Sequence, residues 1–299
     1  MKQILMAVLL AVSLLSPTEA EPQQTAYYDN GIVVRLLENG TILELTLHDY
    51  LIDVVLQEMP ASFSLEALKA QAVAARTFTM RRVYYGGTHA DADVCGDSTC
   101  CQCYMDEAEG QAAYGDGYAK ARDKVRQAVE ETDGMVLVYD GELIDAAYFS
   151  STGGSTEAAA AVWGGDVPYL QPVSSPEKAR LTEQTVTLEQ FRAALPEADL
   201  SGEPASWFGG VTYTAGGAVE TMTIGGAAYT GAALRSRFAL KSARFTAAVT
   251  GDRIVFEVTG SGHGVGMSQY GADTMAEAGS SFRQILEHYY TGAEVQQLY

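Results

Sequence analysis

Glu58 is the residue whose setting first suggests chemistry. It lies in Gln57-Glu58-Met59-Pro60, ahead of Lys69-Ala70-Gln71-Ala72-Val73-Ala74-Ala75-Arg76-Thr77. Pro60 disfavours helical geometry at Met59, so a helix over His48–Met59, apolar at 51, 52, 54, 55, 56 and 59, should stop there. Glu58 then falls in the last turn, at the negative end of the helix dipole. That field and partial burial both penalise the carboxylate and raise its pKa towards that of a useful general acid. A second helix is expected from Ser64 as N-cap, with Glu66 in its first turn and Leu65, Leu68, Ala72, Ala75 and Phe78 as its core stripe. Lys69 and Arg76 share one face of it, with Gln71 between them in sequence. A lone acid opposite a cationic face suits cleavage of an anionic polysaccharide; a solvated helix-end acid and a solvated basic face are the simpler alternatives. Asp53 cannot complete an ordinary glycosidase pair, because its spacing from Glu58 points the two carboxylates to different sides of one helix.

The elements that must position these groups can be read coarsely. Gly110 to Glu131 reads as a loop and helix. Met135-Val136-Leu137-Val138-Tyr139, Asp140-Gly141 and Leu143-Ile144 read as a hairpin. A strand ending at Phe149 leads into the turn Ser151-Thr152-Gly153-Gly154, whose amides and hydroxyls could bind sugar hydroxyls. Thr185 to Leu195 is expected to be helical with Thr187 as a cap, 196–206 a loop, and Val211 to Ile224 a hairpin turning at Gly216-Gly217. Ile254 to Val258 is a strand that delivers His263 into a glycine-rich turn, where glycines on both sides permit close backbone approach; a helix follows over Ser268 to Glu277. There is no internal repeat, nucleotide loop or coiled coil.

These segments resemble the stage II sporulation protein D (SpoIID/LytB) family. The resemblance extends from Tyr50-Leu51 through Thr77 to Tyr148-Phe149-Ser150-Ser151-Thr152-Gly153-Gly154, Trp163 and Pro168-Tyr169-Leu170. It closes with Gly260-Ser261-Gly262-His263-Gly264-Val265-Gly266-Met267-Ser268-Gln269-Tyr270-Gly271-Ala272 and His288-Tyr289-Tyr290-Thr291-Gly292. Family members are known as peptidoglycan lytic transglycosylases and as amidase enhancers. The resemblance implies Glu58 as catalytic acid/base, and Lys69, Gln71 and Arg76 as the basic and polar positions beside it. It also brings Ser151, Thr152, His263, Gln269 and Tyr270 to the cleft as substrate-binding residues. A lytic transglycosylase needs no second carboxylate, since the C6 hydroxyl of N-acetylmuramic acid attacks C1 and leaves a 1,6-anhydro end. The implied substrate is glycan strands stripped of stem peptides, in sporulation or cell-wall remodelling. The alternative is a non-catalytic enhancer of an N-acetylmuramoyl-L-alanine amidase, with a cell-wall amidase as partner.

The four cysteines all lie between residues 95 and 103. Some family members carry zinc on a histidine and two cysteines here, and His89, Cys95 and Cys101 match that pattern; thiolates and imidazole suit tetrahedral Zn2+. Three such ligands would leave a place for water, or Cys103 would close the site. Disulfides are the competing reading in a secreted chain, although vicinal Cys100-Cys101 and so tight a cluster suit two relaxed bridges poorly. A zinc hydrolase using these ligands is a third, weaker functional reading.

Lys2, the apolar run Ile4 to Leu15 and Pro17-Thr18-Glu19-Ala20 form a signal-peptide pattern over 1–20, with an uncleaved anchor as the alternative. The protein is therefore expected to be extracytoplasmic, secreted or membrane-anchored at the cell wall, with no other membrane contact. The formal net charge of −19 argues against nucleic acid as a partner and requires glycan to bind in a local basic groove. The expected architecture is α+β and two-lobed, with mixed helices and antiparallel hairpins or sheets lining a glycan-binding cleft. Its parts are an N-terminal segment 21–42, a family domain over 43–292 with a second lobe or insertion at about 171–250, and a tail 293–299.

Overall fold

The computed structural model describes residues 27–298, so the segment read as a signal peptide lies outside the described residues. The chain is α+β. Strands β1 (Val33–Glu38) and β2 (Thr41–Thr46) form a hairpin, and Thr46 then caps α1 (Leu47–Glu58) by accepting the Asp49 N–H at 3.1 Å. The α1 helix is buried on nearly every side and ends at Glu58, ahead of Pro60. After a short turn, α2 (Leu65–Tyr85) runs through the centre of the larger core, packed against α1, three later helices and the strand β4 described below. A helix so enclosed has no solvated stripe over its middle, which is why it buries Gln71, Arg76, Thr77 and Thr79 along with its alanines.

Strand β3 (Val94–Cys95) pairs parallel with β1, so the sheets are not purely antiparallel. The stretch expected as a loop and helix holds two helices: α3 (Glu107–Tyr114), opened by an Asp106/Glu109 capping box, and α4 (Tyr118–Glu130). Strands β4 (Met135–Tyr139) and β5 (Glu142–Leu143) make the expected hairpin. Within the segment 293–299, Glu294–Gln297 pairs antiparallel with β4, and within 21–42, Asp29, Val34 and Leu36 are fully buried.

A separate hydrophobic core is built from Val186 to Val258. Phe191 is its centre, stacked on Phe238 at 5.2 Å and Trp207 at 5.9 Å. The expected helix from Thr185 begins later. Leu181–Thr187 is instead a strand paired with Arg253–Thr259, as its β-branched residues prefer, and Thr187 with Gln190 caps Leu188–Ala194. From Gly260 the chain returns to the first core, where Met267–Ser268 pairs parallel with β6 (Tyr148–Phe149). Glycines make that return possible: a Cβ on Gly266 (φ +77°) would lie 2.0 Å from the Ala147 carbonyl oxygen, and one on Gly262 (φ +112°) 2.6 Å from Phe149 Cβ.

Candidate active site

Glu58 is held from three directions. Its Oε1 accepts the Cys103 backbone N–H at 2.8 Å, its Oε2 faces Gln269 Nε2 at 3.4 Å, and the Tyr148 hydroxyl bonds to it as well. Burial raises its pKa above the usual carboxylate value, and these hydrogen bonds oppose the rise without cancelling it. The carboxyl lines a cavity of about 730 Å³ with Tyr114, Lys120, Lys124, Ser150, Gln269 and Tyr270 among its walls. Glu58 is the only carboxylate lining it among the described residues. Asp53 lies elsewhere, paired with Arg122.

Several of these supports had no sequence signal. The amide of Cys103 is backbone, and no residue type announces it. Gln102 is buried, donates to Tyr50 Oη at 3.2 Å and Thr79 Oγ1 at 3.0 Å, and accepts the Tyr148 hydroxyl at 2.8 Å, so it fixes the tyrosine that faces Glu58. Lys124 Nζ donates to the Ala61 and Phe63 carbonyls and shapes the turn after α1. Lys120 is exposed at the same cavity.

The basic face expected of α2 is corrected. Arg76 is fully buried; Nη2 lies 2.7 Å and Nε 2.8 Å from Asp29 Oδ2, and the guanidinium also donates to the Val129 and Met135 carbonyls, each at 3.2 Å. A group enclosed in this way touches no substrate. Lys69 is bound between Glu66 at 2.7 Å and Glu131 at 2.6 Å, so its charge is already balanced. Gln71 is buried with Oε1 accepting from Gln269 Nε2 at 3.4 Å, so it positions the glutamine beside Glu58 and does not reach the cavity. The reason is common to all three: a central helix is surrounded by packing, and helical spacing alone cannot tell an inward from an outward cation.

Ser151 and Thr152 are also buried. Ser151 exchanges backbone hydrogen bonds with Ser261 at 2.8 and 3.0 Å, and the Thr152 N–H binds Glu177 Oε1 at 2.7 Å. Both, with His263, line a second cavity and not the Glu58 cavity. His263 accepts the Val265 N–H on Nδ1 at 3.1 Å and bonds with the Tyr148 backbone, and burial pushes its pKa down to about 4, which leaves it neutral near pH 7. Gln269 and Tyr270 do reach the Glu58 cavity. The Tyr270 ring packs edge-on to Phe63 at 4.9 Å, with Arg180 stacked 4.0 Å above it.

The four cysteines are free thiols. The ligand atoms of His89, Cys95, Cys100 and Cys101 all lie within 4.8 Å of one another. Cys100, not Cys103, stands with the three expected ligands, its Sγ 3.5 Å from His89 Nε2. One imidazole and three thiols fit a tetrahedral zinc site with all four positions supplied by protein. The same loop carries the Cys103 amide that holds Glu58.

The fold is α+β, and the Glu58 cavity is lined by one carboxyl of raised pKa and, among the described residues, by no other acid. The chain belongs to the stage II sporulation protein D family. The family model for the SpoIID stage II sporulation protein matches residues 38–139. Stage II sporulation protein D of Bacillus subtilis (strain 168) is 37% identical over 275 residues, 89% of this chain and 79% of the relative. The Bacillus amyloliquefaciens protein of that name is 36% identical over 274 residues, with the same coverage. The amidase enhancer of Bacillus subtilis (strain 168) is 32% identical over 297 residues, 80% of this chain and 39% of the relative.

Proposed function

We propose that this protein is a lytic transglycosylase that cleaves N-acetylmuramic acid–N-acetylglucosamine strands of peptidoglycan, preferring strands without stem peptides, outside the cytoplasm. The observation that carries the reading is Glu58, a raised-pKa carboxyl alone in its cavity. A hydrolase of the usual kind needs a second carboxylate, as base or nucleophile; an intramolecular displacement does not. Glu58 as the neutral acid gives its proton to the glycosidic oxygen as the C1–O bond breaks. The resulting carboxylate takes the proton of the C6 hydroxyl as that oxygen bonds to C1, which restores the acid and consumes no water. The Cys103 N–H and Gln269 Nε2 stabilise the carboxylate between the two transfers. Gln71 and Gln102 act through Gln269 and Tyr148 as positioning residues.

His89, Cys95, Cys100 and Cys101 would hold a zinc ion whose contribution is to fix the loop that presents the Cys103 amide. A second reading, an amidase enhancer, is favoured by the relative of that name. The two separate on purified, peptide-free glycan strands. The enzyme reading expects cleavage by the wild type and none by folded Glu58→Gln; equal behaviour of the two proteins, together with stimulation of an added amidase, supports the enhancer.

A further inference from the structure

The correction to Lys69 and Arg76 leaves open how an acidic sugar is recognised, because both cations are already paired. Arg235 is not. It lies half-buried in the helix Gly231–Arg237; its Nε donates to the Leu240 carbonyl at 3.3 Å, and among the described residues no carboxylate pairs with it. Burial lowers its pKa with no acid to offset the cost, so its charge is desolvated and uncompensated. In a chain of net charge −19 this is an unusual provision.

Arg235 lines a cavity of about 580 Å³ where the second core meets the Phe149 and His263 segments of the first. Two acids line the cavity: buried Glu157 is already held by Thr214 Oγ1 at 2.6 Å, the Ala218 N–H at 3.0 Å and Arg244 at 3.8 Å, and Glu220 is exposed to solvent and forms no ion pair with Arg235 among the described residues. Neutral His263 adds no competing charge. Beside it stands Trp163, half exposed, its ring 5.1 Å from the imidazole, an apolar face of the kind on which a sugar ring stacks. The Tyr148 backbone bonds with His263 while its hydroxyl faces Glu58, so one strand links the two cavities. The volume suits a single acylated monosaccharide.

We infer that this cavity is a saccharide subsite in which Arg235 pairs with the carboxylate of an N-acylated acidic sugar, the lactyl group of an N-acetylmuramic acid residue free of its peptide. The inference rests on the glycan reading of Glu58 for the choice of sugar. It gives a physical basis for a preference for peptide-free strands, since an attached stem converts that carboxylate into an amide and leaves Arg235 unpaired.

The test is calorimetric or NMR titration of the full protein with free N-acetylmuramic acid and with N-acetylglucosamine, which lacks the carboxylate. The expected result is tighter binding of the acidic sugar by roughly tenfold or more, lost in Arg235→Gln and partly kept in Arg235→Lys. Equal binding of the two sugars, or binding by a folded Arg235→Gln equal to wild type, overturns the subsite even where Glu58-dependent cleavage is found. Arg235-dependent binding by a protein that cleaves nothing keeps the subsite while removing the enzyme reading. An Arg235→Gln protein with a lowered melting temperature is judged by Trp163→Ala instead, which should weaken both sugars; no change in that variant counts against the site.

Discussion

Replacing Arg76 separates a structural cation from a substrate-binding one. Arg76→Met removes a guanidinium that is fully buried, ion-paired with Asp29 and hydrogen-bonded to the Val129 and Met135 carbonyls. It strands the Asp29 carboxylate, whose Oδ1 already lacks a partner. Breaking one side of a buried pair costs about 3–5 kcal/mol, because the remaining charge stays desolvated. Against a typical total stability of about 5–15 kcal/mol that is a large fraction, and it corresponds to a fall in melting temperature of roughly 10 °C. Asp29→Leu should lose a similar amount, and Arg76→Met/Asp29→Leu should recover much of either loss, since a well-packed apolar pair carries no desolvation penalty. Differential scanning calorimetry of the four proteins gives the coupling directly. An Arg76→Met protein that melts like wild type yet no longer binds glycan would refute the reasoning and return Arg76 to the substrate.

Glu58→Gln should abolish cleavage without loss of stability. Because burial raises the carboxyl's pKa, the folded wild type carries a penalty that grows as pH rises through that raised value, so the variant should be the more stable protein on the alkaline side and its equal at acid pH. For the same reason wild-type kcat/KM should fall as pH rises through that value; a rise would assign the acid to another group. Cys100→Ser should reduce bound zinc, measured by elemental analysis, and sharply increase proteolysis of the 89–103 loop, whereas Cys103→Ala should keep full metal content. Gly266→Ala, which brings a Cβ against the Ala147 carbonyl at positive φ, should cost about 2 kcal/mol or more in denaturant titration.

Local chemistry carried much of this molecule in its sequence. Pro60 set the end of α1 and so the place of Glu58, the Asp140-Gly141 turn marked its hairpin, and the glycines around His263 announced a close backbone approach. Global packing did not show. Whether Lys69 and Arg76 face water or core depends on what surrounds α2, and the partner that neutralises Arg76 is Asp29, far away in the chain. The strand Leu181–Thr187 was hidden by the cap signal of Thr187, which belongs to the helix after it. The family resemblance pointed to His89, Cys95 and Cys101 as a candidate ligand set but not to Cys100, whose ligand atom the fold of the loop brings beside theirs. Arg235 carried no sequence mark, because an unpaired cation is recognisable only once its neighbours are known.

The most direct test of the account is the mass of the fragments released from peptide-free glycan strands by the purified protein. Displacement by the C6 hydroxyl predicts muramyl ends that are one water lighter than the hydrolytic product, formed by wild type and absent with Glu58→Gln. Ends that carry the full mass of a reducing sugar, and so contain the attacking water, would contradict the single-acid mechanism at its centre.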